Sequence, residues 1–193
     1  MRKLVSAVAA AAHQVALNVA AMTFMIPLGL SMATTVRVGH ALGGNDLRAA
    51  RFSGLTGIGL SGLFMAAMAV LIFAGHHAIA GFYTGDPAVA VVAAGLLRLA
   101  ALFQISDGLQ VGALGALRGL KDTRIPMLIV VVAYWLIAFP LGWLLGVRGG
   151  FGPAGPWVGL IAGLTSAAVL LNLRFWRLSA RLERCGPIRP DTV

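Results

Sequence analysis

With 193 residues the chain has the size of one soluble domain, yet 59% of them are hydrophobic and only 11% are charged, against ~25% charged in ordinary globular domains. That balance excludes a soluble globular fold. The net charge of +9 would suit nucleic acid, but the basic residues sit in short loops and a tail beside apolar stretches, where membrane topology places them, so nucleic acid is not an expected partner. The charges cluster and leave stretches of ~20 or more apolar residues, enough to cross a bilayer. The expected fold is all-α: a polytopic transmembrane helical bundle of about five spans, with the lipid bilayer as its solvent.

The opening MRKLVSAVAAAA imitates a signal peptide, but its apolar run is short and continues through His13, Gln14 and Asn18. It reads as the lead-in to a first span at 14–42. Pro27 inside this span removes a backbone donor and predicts a kink or gate element, with the Ser31 and Thr34 hydroxyls able to re-satisfy the freed carbonyl. Gly43-Gly44-Asn45-Asp46 is turn chemistry, and Asp46 can cap a short helix carrying Arg48 and Arg51. A second span covers 53–75, where Ser53, Gly57 and Ser61 form a small-residue ridge for close helix approach. His76 and His77 follow; neighbours in sequence face different sides of a helix and no third ligand is near, so they are expected at the membrane interface, not on a metal. Pro87 suits the first turn of a third span.

That third span, 89–117, organises the rest. It carries an acid, Asp107, between Gln104 and Gln110. Asp107 lies eleven residues before Arg118, or ~16 Å at 1.5 Å per residue, which is about half the ~30 Å hydrocarbon core. A carboxylate at that depth costs at least ~2.5–3.5 kcal/mol and usually faces a bundle interior or watery cavity. Asp107 is therefore the expected cation-binding residue, with Gln104 and Gln110 as candidates for the substrate or cation pathway or as packing glue. Arg98 falls on the opposite side of the helix and is expected to snorkel outward, not to pair with Asp107. Gly108, Gly112 and Ala116 form a second small-residue ridge.

RGLKDTRIP (118–126) is a tight basic loop with Asp122 or Thr123 as cap. The fourth span, 126–146, contains Tyr134, Trp135 and a second internal proline, Pro140, a further kink or gate candidate. After GVRGGFGPAGP (147–156), a fifth span at 157–173 opens with Trp157 at the interface. The membrane domain is placed at 1–178 and a basic tail at 179–193. Alternating the spans puts eleven of the fifteen Lys and Arg on the side of the 43–52 loop, the 118–125 loop and the tail. Positive-inside bias makes that side cytoplasmic, with the N-terminus outside. Met1-Arg2-Lys3 would prefer the cytoplasm, which hints at an earlier helix upstream. Two lysines among abundant Ala, Gly and Arg suggest a GC-rich bacterium and hence its inner membrane. The lone Cys185 excludes an intrachain disulfide.

Four runs, AAHQVALN (11–18), MIPLGLSMATTVRVGHALGGND (25–46), FQISDGLQVGALGALRGLKDTRIP (103–126) and AYWLIAFPLGWLLG (133–146), together resemble the multidrug and toxic compound extrusion (MATE) transporters, in particular their NorM-type branch. The resemblance implies a cation-coupled antiporter, driven by Na⁺ or H⁺, that exports drug-like, often cationic compounds and needs no cofactor. Members have twelve helices in two six-helix lobes, and the runs here look like helices eight to twelve, a partial C-terminal lobe. Asp107 falls at the family's tenth-helix acid, which helps bind the coupling cation; no metal beyond such a coupling Na⁺ is expected. The family pairs that acid with a glutamate on its seventh helix, and no other acid here lies at membrane depth. The resemblance therefore implies that an N-terminal lobe or another chain completes the transporter.

Two other readings stand beside this one. The chain could be a non-transporting remnant, a helical bundle that needs a partner chain. It could also be a lipid-linked sugar flippase of the same superfamily, although such cargo calls for more intramembrane Arg or Lys than Arg98 alone. Enzyme signatures such as His-Glu-x-x-His or Gly-x-Ser-x-Gly are missing, so an enzyme is not expected.

Overall fold

A computed structural model describes residues 2–147 and 155–185, with the side chains of 7–147 and 155–184. The predicted 147–156 loop thus falls largely outside the described residues, as do the tail from 186 onward with Arg189, and the side chains of Arg2 and Lys3. Among the described residues the chain is helical throughout, apart from three short turns. α1 runs Arg2–Gly43, α2 Leu47–Tyr83 and α3 Pro87–Gly119. The fourth span is α4 (Arg124–Val132), a π-helical segment (Ala133–Ala138) and α5 (Phe139–Val147), and the fifth is α6, Gly155–Cys185. Five of these helical stretches are long and apolar enough to cross a membrane.

Local chemistry sets the helix ends. The Asp46 carboxylate accepts the Ala49 amide at 2.9 Å and Asp86 accepts Ala88 at 2.8 Å, supplying acceptors for otherwise orphaned first-turn donors. Pro87 sits in the first turn of α3. Between α1 and α2, Asn45 adopts φ 59°, so the Asp46 amide can return to the Ala41 carbonyl. The helices overrun the predicted spans. The segment with Arg48 and Arg51 is continuous with α2, which passes 75 and stops at Tyr83; α6 passes 173, so the 178/179 division falls inside it. Once nucleated, a helix continues through polar residues until a turn ends it.

α3 is the central helix, packed against α1, α2 and α6. Small residues let it in on two faces. A Cβ on Gly112 would lie 2.9 Å from the Ile58 Cα of α2 and one on Gly108 would lie 2.7 Å from the Ser61 carbonyl, so the predicted ridge does meet a helix. A second ridge, Gly115 and Gly119, faces α1 at Ser31, Thr35 and Val38. There Thr35 Oγ1 donates to the carbonyls of both Ser31 and Gly115, at 2.9 Å each. The bundle's apolar core divides into two clusters, one around Leu97, Phe103 and Trp157 and one around Val38, Leu117, Leu171 and Phe175.

The fourth span packs chiefly on α6. Gly155, Gly159 and Gly163 present bare backbone to Gly146, Gly142 and Ala138, so the two helices touch main chain to main chain. Pro140 has no N–H, and its ring would strike the Leu136 carbonyl in a regular helix. The π segment just before it absorbs that conflict, and the Phe139 amide donates five residues back, to Tyr134. Pro27, by contrast, is fully buried within α1, which stays helical on both sides of it.

Three side chains depart from expectation. Trp157 is fully buried, not interfacial: its indole N–H donates to His13 Nδ1 at 3.0 Å and its ring stacks on Phe103, so nothing polar is left for water. His76 is also inside the bundle, with Nδ1 2.7 Å from the Phe73 carbonyl. Asp122 does not cap α4 but accepts from Arg174 Nε at 2.9 Å. A second link, Arg51 Nη1 to Glu183 at 2.6 Å, also ends on α6, so the two basic turns and the end of α6 share one side of the bundle.

Candidate functional site

Gln104, Asp107 and Gln110 are spaced by three along α3, which places them on one ~120° arc at 100° per residue. The structure sends them to three destinations. Gln104 is fully buried, and its Nε2 donates to Thr23 Oγ1 of α1 at 2.6 Å. The Thr23 hydroxyl proton is turned back to the Val19 and Ala20 carbonyls, so Thr23 can only accept from Gln104, and this sets which end of the amide points where. Gln110 reaches the Tyr134 hydroxyl on the π segment at 3.5 Å, a long bond.

Asp107 sits between them, half-buried. It makes no hydrogen bond or ion pair with another described residue; the two glutamines that flank it in sequence are committed elsewhere. Tyr134 lies within its electrostatic reach. The Oε1 atoms of both Gln104 and Gln110 are buried without a hydrogen-bond partner. α3 therefore carries a half-buried carboxylate and two buried amide carbonyls with no hydrogen-bond donor on them among the described residues. Orphaned buried acceptors are costly, and a carboxylate is an oxygen ligand of the kind a hard cation prefers.

Sequence reasoning missed Thr23, which orients Gln104, and the function of Tyr134, which joins this face to a groove. That groove, of about 770 Å³, lies between the fourth span and α6 and is lined by Tyr134, Trp135, Phe139, Trp143 and Leu160 among others. A tyrosine inside an apolar span was the available signal, since its hydroxyl needs a partner at depth. Ser106 and Thr165, 3.0 Å apart, add a polar link from α3 to α6. Arg98 is exposed, with its guanidinium 6.0 Å from the Phe73 ring centroid, and lies away from the acid. Pro140 is exposed next to the π segment and Pro27 is buried in α1; neither belongs to the acidic face.

Thr23→Val should cost about 1–3 kcal/mol, the penalty for stranding a buried amide, because Gln104 would then lose its described partner. Adding Gln104→Met should recover most of that loss. A thermal melt in detergent checks it, and equal destabilisation in single and double variants would contradict the arrangement.

The family model described as MatE matches residues 1–144. The chain is 50% identical over 173 residues to the probable multidrug resistance protein NorM of Xanthomonas campestris, covering 90% of this chain and 38% of that protein. It is 47% identical over 178 residues to the multidrug resistance protein PmpM of Pseudomonas aeruginosa, covering 90% and 37%. Among solved structures, the eukaryotic MATE transporter AtDTX14 superposes with a TM-score of 0.83 at 25% identity, over 92% of this chain and 40% of that one. An outward-facing multidrug resistance MATE family transporter of the MOP superfamily superposes at 0.82 with 16% identity, over 90% and 39%. The chain thus spans less than two fifths of the length of these curated relatives.

Proposed function

Because this chain belongs to the MatE family, we propose that it forms the C-terminal part of a cation-coupled antiporter that exports drug-like organic compounds across a bacterial inner membrane. The observation that carries the reading is Asp107 inside an apolar span, without a hydrogen-bond or ion-pair partner among the described residues, on the helix that also holds the two unpaired amide oxygens. Na⁺ would take the carboxylate as a ligand, and H⁺ would reside on it. The aromatic groove that begins at Tyr134 suits flat lipophilic cations, which gain from ring faces as well as from a nearby acid. The names of the NorM and PmpM relatives, as multidrug resistance proteins, support this cargo class. The basic turns face the cytoplasm and the start of α1 faces outside, in keeping with positive-inside bias.

On this reading the other lobe and the missing first helix of this one, from the same polypeptide or another chain, supply the rest of the pathway. The limited share of the relatives' length that is covered favours such a requirement over transport by one copy alone. The test is efflux of a lipophilic cationic dye from a pump-deficient bacterium. The strains would carry empty vector, this chain, or this chain with the whole preceding part of a relative, its N-terminal lobe and seventh helix, all checked for membrane insertion. Extrusion several-fold above vector is expected from the two-lobe pair. Its dependence on Na⁺, or its collapse with a proton uncoupler, identifies the coupling ion. No extrusion from either strain at normal insertion would overturn the reading.

A further inference from the structure

We infer that the groove between α2 and α6 at the basic end of the bundle binds one anionic phospholipid. The groove, of about 440 Å³, is walled by Leu55 and Ile58 on α2 and by Val169, Leu173 and Trp176 on α6, with Phe175 as its floor. Gly54 lets the Phe175 ring lie against the α2 backbone, where any Cβ would collide with it.

The charges are in register with this slot. Arg48, Arg51, Leu55 and Ile58 recur at intervals of three and four, so they form one stripe along α2. The two arginines therefore stand ~6 and ~10 Å beyond Leu55 along the helix axis. On α6, Arg177 follows Leu173 by four residues and occupies the next turn of the same wall. Glu183 is the carboxylate paired here: it holds Arg51 at 2.6 Å and touches Arg48 at only 3.8 Å, with the Arg48 side chain 91% exposed. Arg48 and Arg51 share one carboxylate and Arg177 is exposed one turn beyond Leu173, which leaves an excess of positive charge at the mouth of an apolar slot.

That pairing of an apolar slot with a cationic mouth suits a phospholipid. An acyl chain fills the slot, and the phosphate sits at guanidiniums whose forked donors suit its oxygens. Trp176, 56% exposed, places its indole at the depth where headgroups meet hydrocarbon. A zwitterionic lipid brings its own cation to this mouth and cancels the attraction; an anionic one does not.

The test uses the full chain, purified in neutral detergent, with retained lipid counted by native mass spectrometry. Phosphatidylglycerol and phosphatidylcholine of matched chains are offered. One phosphatidylglycerol should be retained about tenfold more than phosphatidylcholine. Arg48→Ala with Arg177→Ala should bring the two lipids to within about twofold, given the loss of two surface cations. Leu55→Trp should lower retention of both by blocking the slot. Unchanged helicity and a single gel-filtration peak establish that each variant is folded. Equal retention of both lipids by the parent overturns the inference, as does a preference that survives the double arginine variant, or retention that ignores Leu55→Trp.

Discussion

Gly115→Leu should prevent stable assembly of the bundle. At this position a Cβ would stand 2.5 Å from Ser31 Oγ and 3.0 Å from the Ser31 carbonyl carbon, and the second of these is main chain that cannot rotate away. Inserting methylenes into a packed interior typically costs 1–3 kcal/mol. Here the only relief is to separate α1 from α3, which would also break the Thr35 hydrogen bond to the Gly115 carbonyl, so a loss above ~3 kcal/mol is expected. The accumulated protein should fall, and the remainder should melt well below the parent in detergent. Gly95→Ala is the control: nothing lies within 4 Å of a Cβ there, and exchanging a mid-helix glycine for alanine should stabilise by roughly 0.5–1 kcal/mol. If Gly115→Leu melted like the parent, the α1–α3 contact described above would be wrong.

Asp107→Asn should abolish coupled efflux in the two-lobe assay while leaving the fold intact. The substitution keeps shape and removes one charge. An interaction with a charged group is worth ~1.5–3 kcal/mol, so cation binding should weaken by at least about tenfold. Asp107 has no described hydrogen bond or ion pair to lose, and a charge at membrane depth is itself a cost. The variant should therefore melt at or above the parent temperature. This combination separates roles, because a structural acid would give the reverse, lowered stability with efflux preserved in the surviving protein. Either a lower melting temperature or unchanged efflux would count against a cation site at Asp107.

Much of the scaffold was legible because it rests on local rules. Apolar length marks spans, Asp46 sits where a helix start needs an acceptor, and glycine spacing marks Gly108 and Gly112 as a contact face. That Asp107 falls inside one long apolar helix was legible from counting along the sequence. What stayed hidden depends on partners far away in the chain. Trp157 looks like an interfacial anchor until His13, 144 residues earlier, takes its N–H. Asp122 looks like a cap until Arg174 is brought to it. The glutamines look like neighbours of Asp107, but Thr23 and Tyr134 on other helices claim their amide nitrogens. The π segment is a conflict between Pro140 and the preceding carbonyls, and its resolution could have taken several backbone forms.

The ion pairs that fasten the basic turns, Asp122–Arg174 and those of Arg51 and Arg48 with Glu183, close on α6, which is the last of these elements to leave the ribosome. The order of synthesis therefore leaves each turn unclasped while α1 to α5 are being inserted, and the two are secured together only when α6 arrives. A nonsense mutation just before Arg174 would keep the apolar stretch 157–173 yet release both turns at once. A quality-control protease that samples loose loops at the membrane surface would meet such a product in the state every nascent copy passes through.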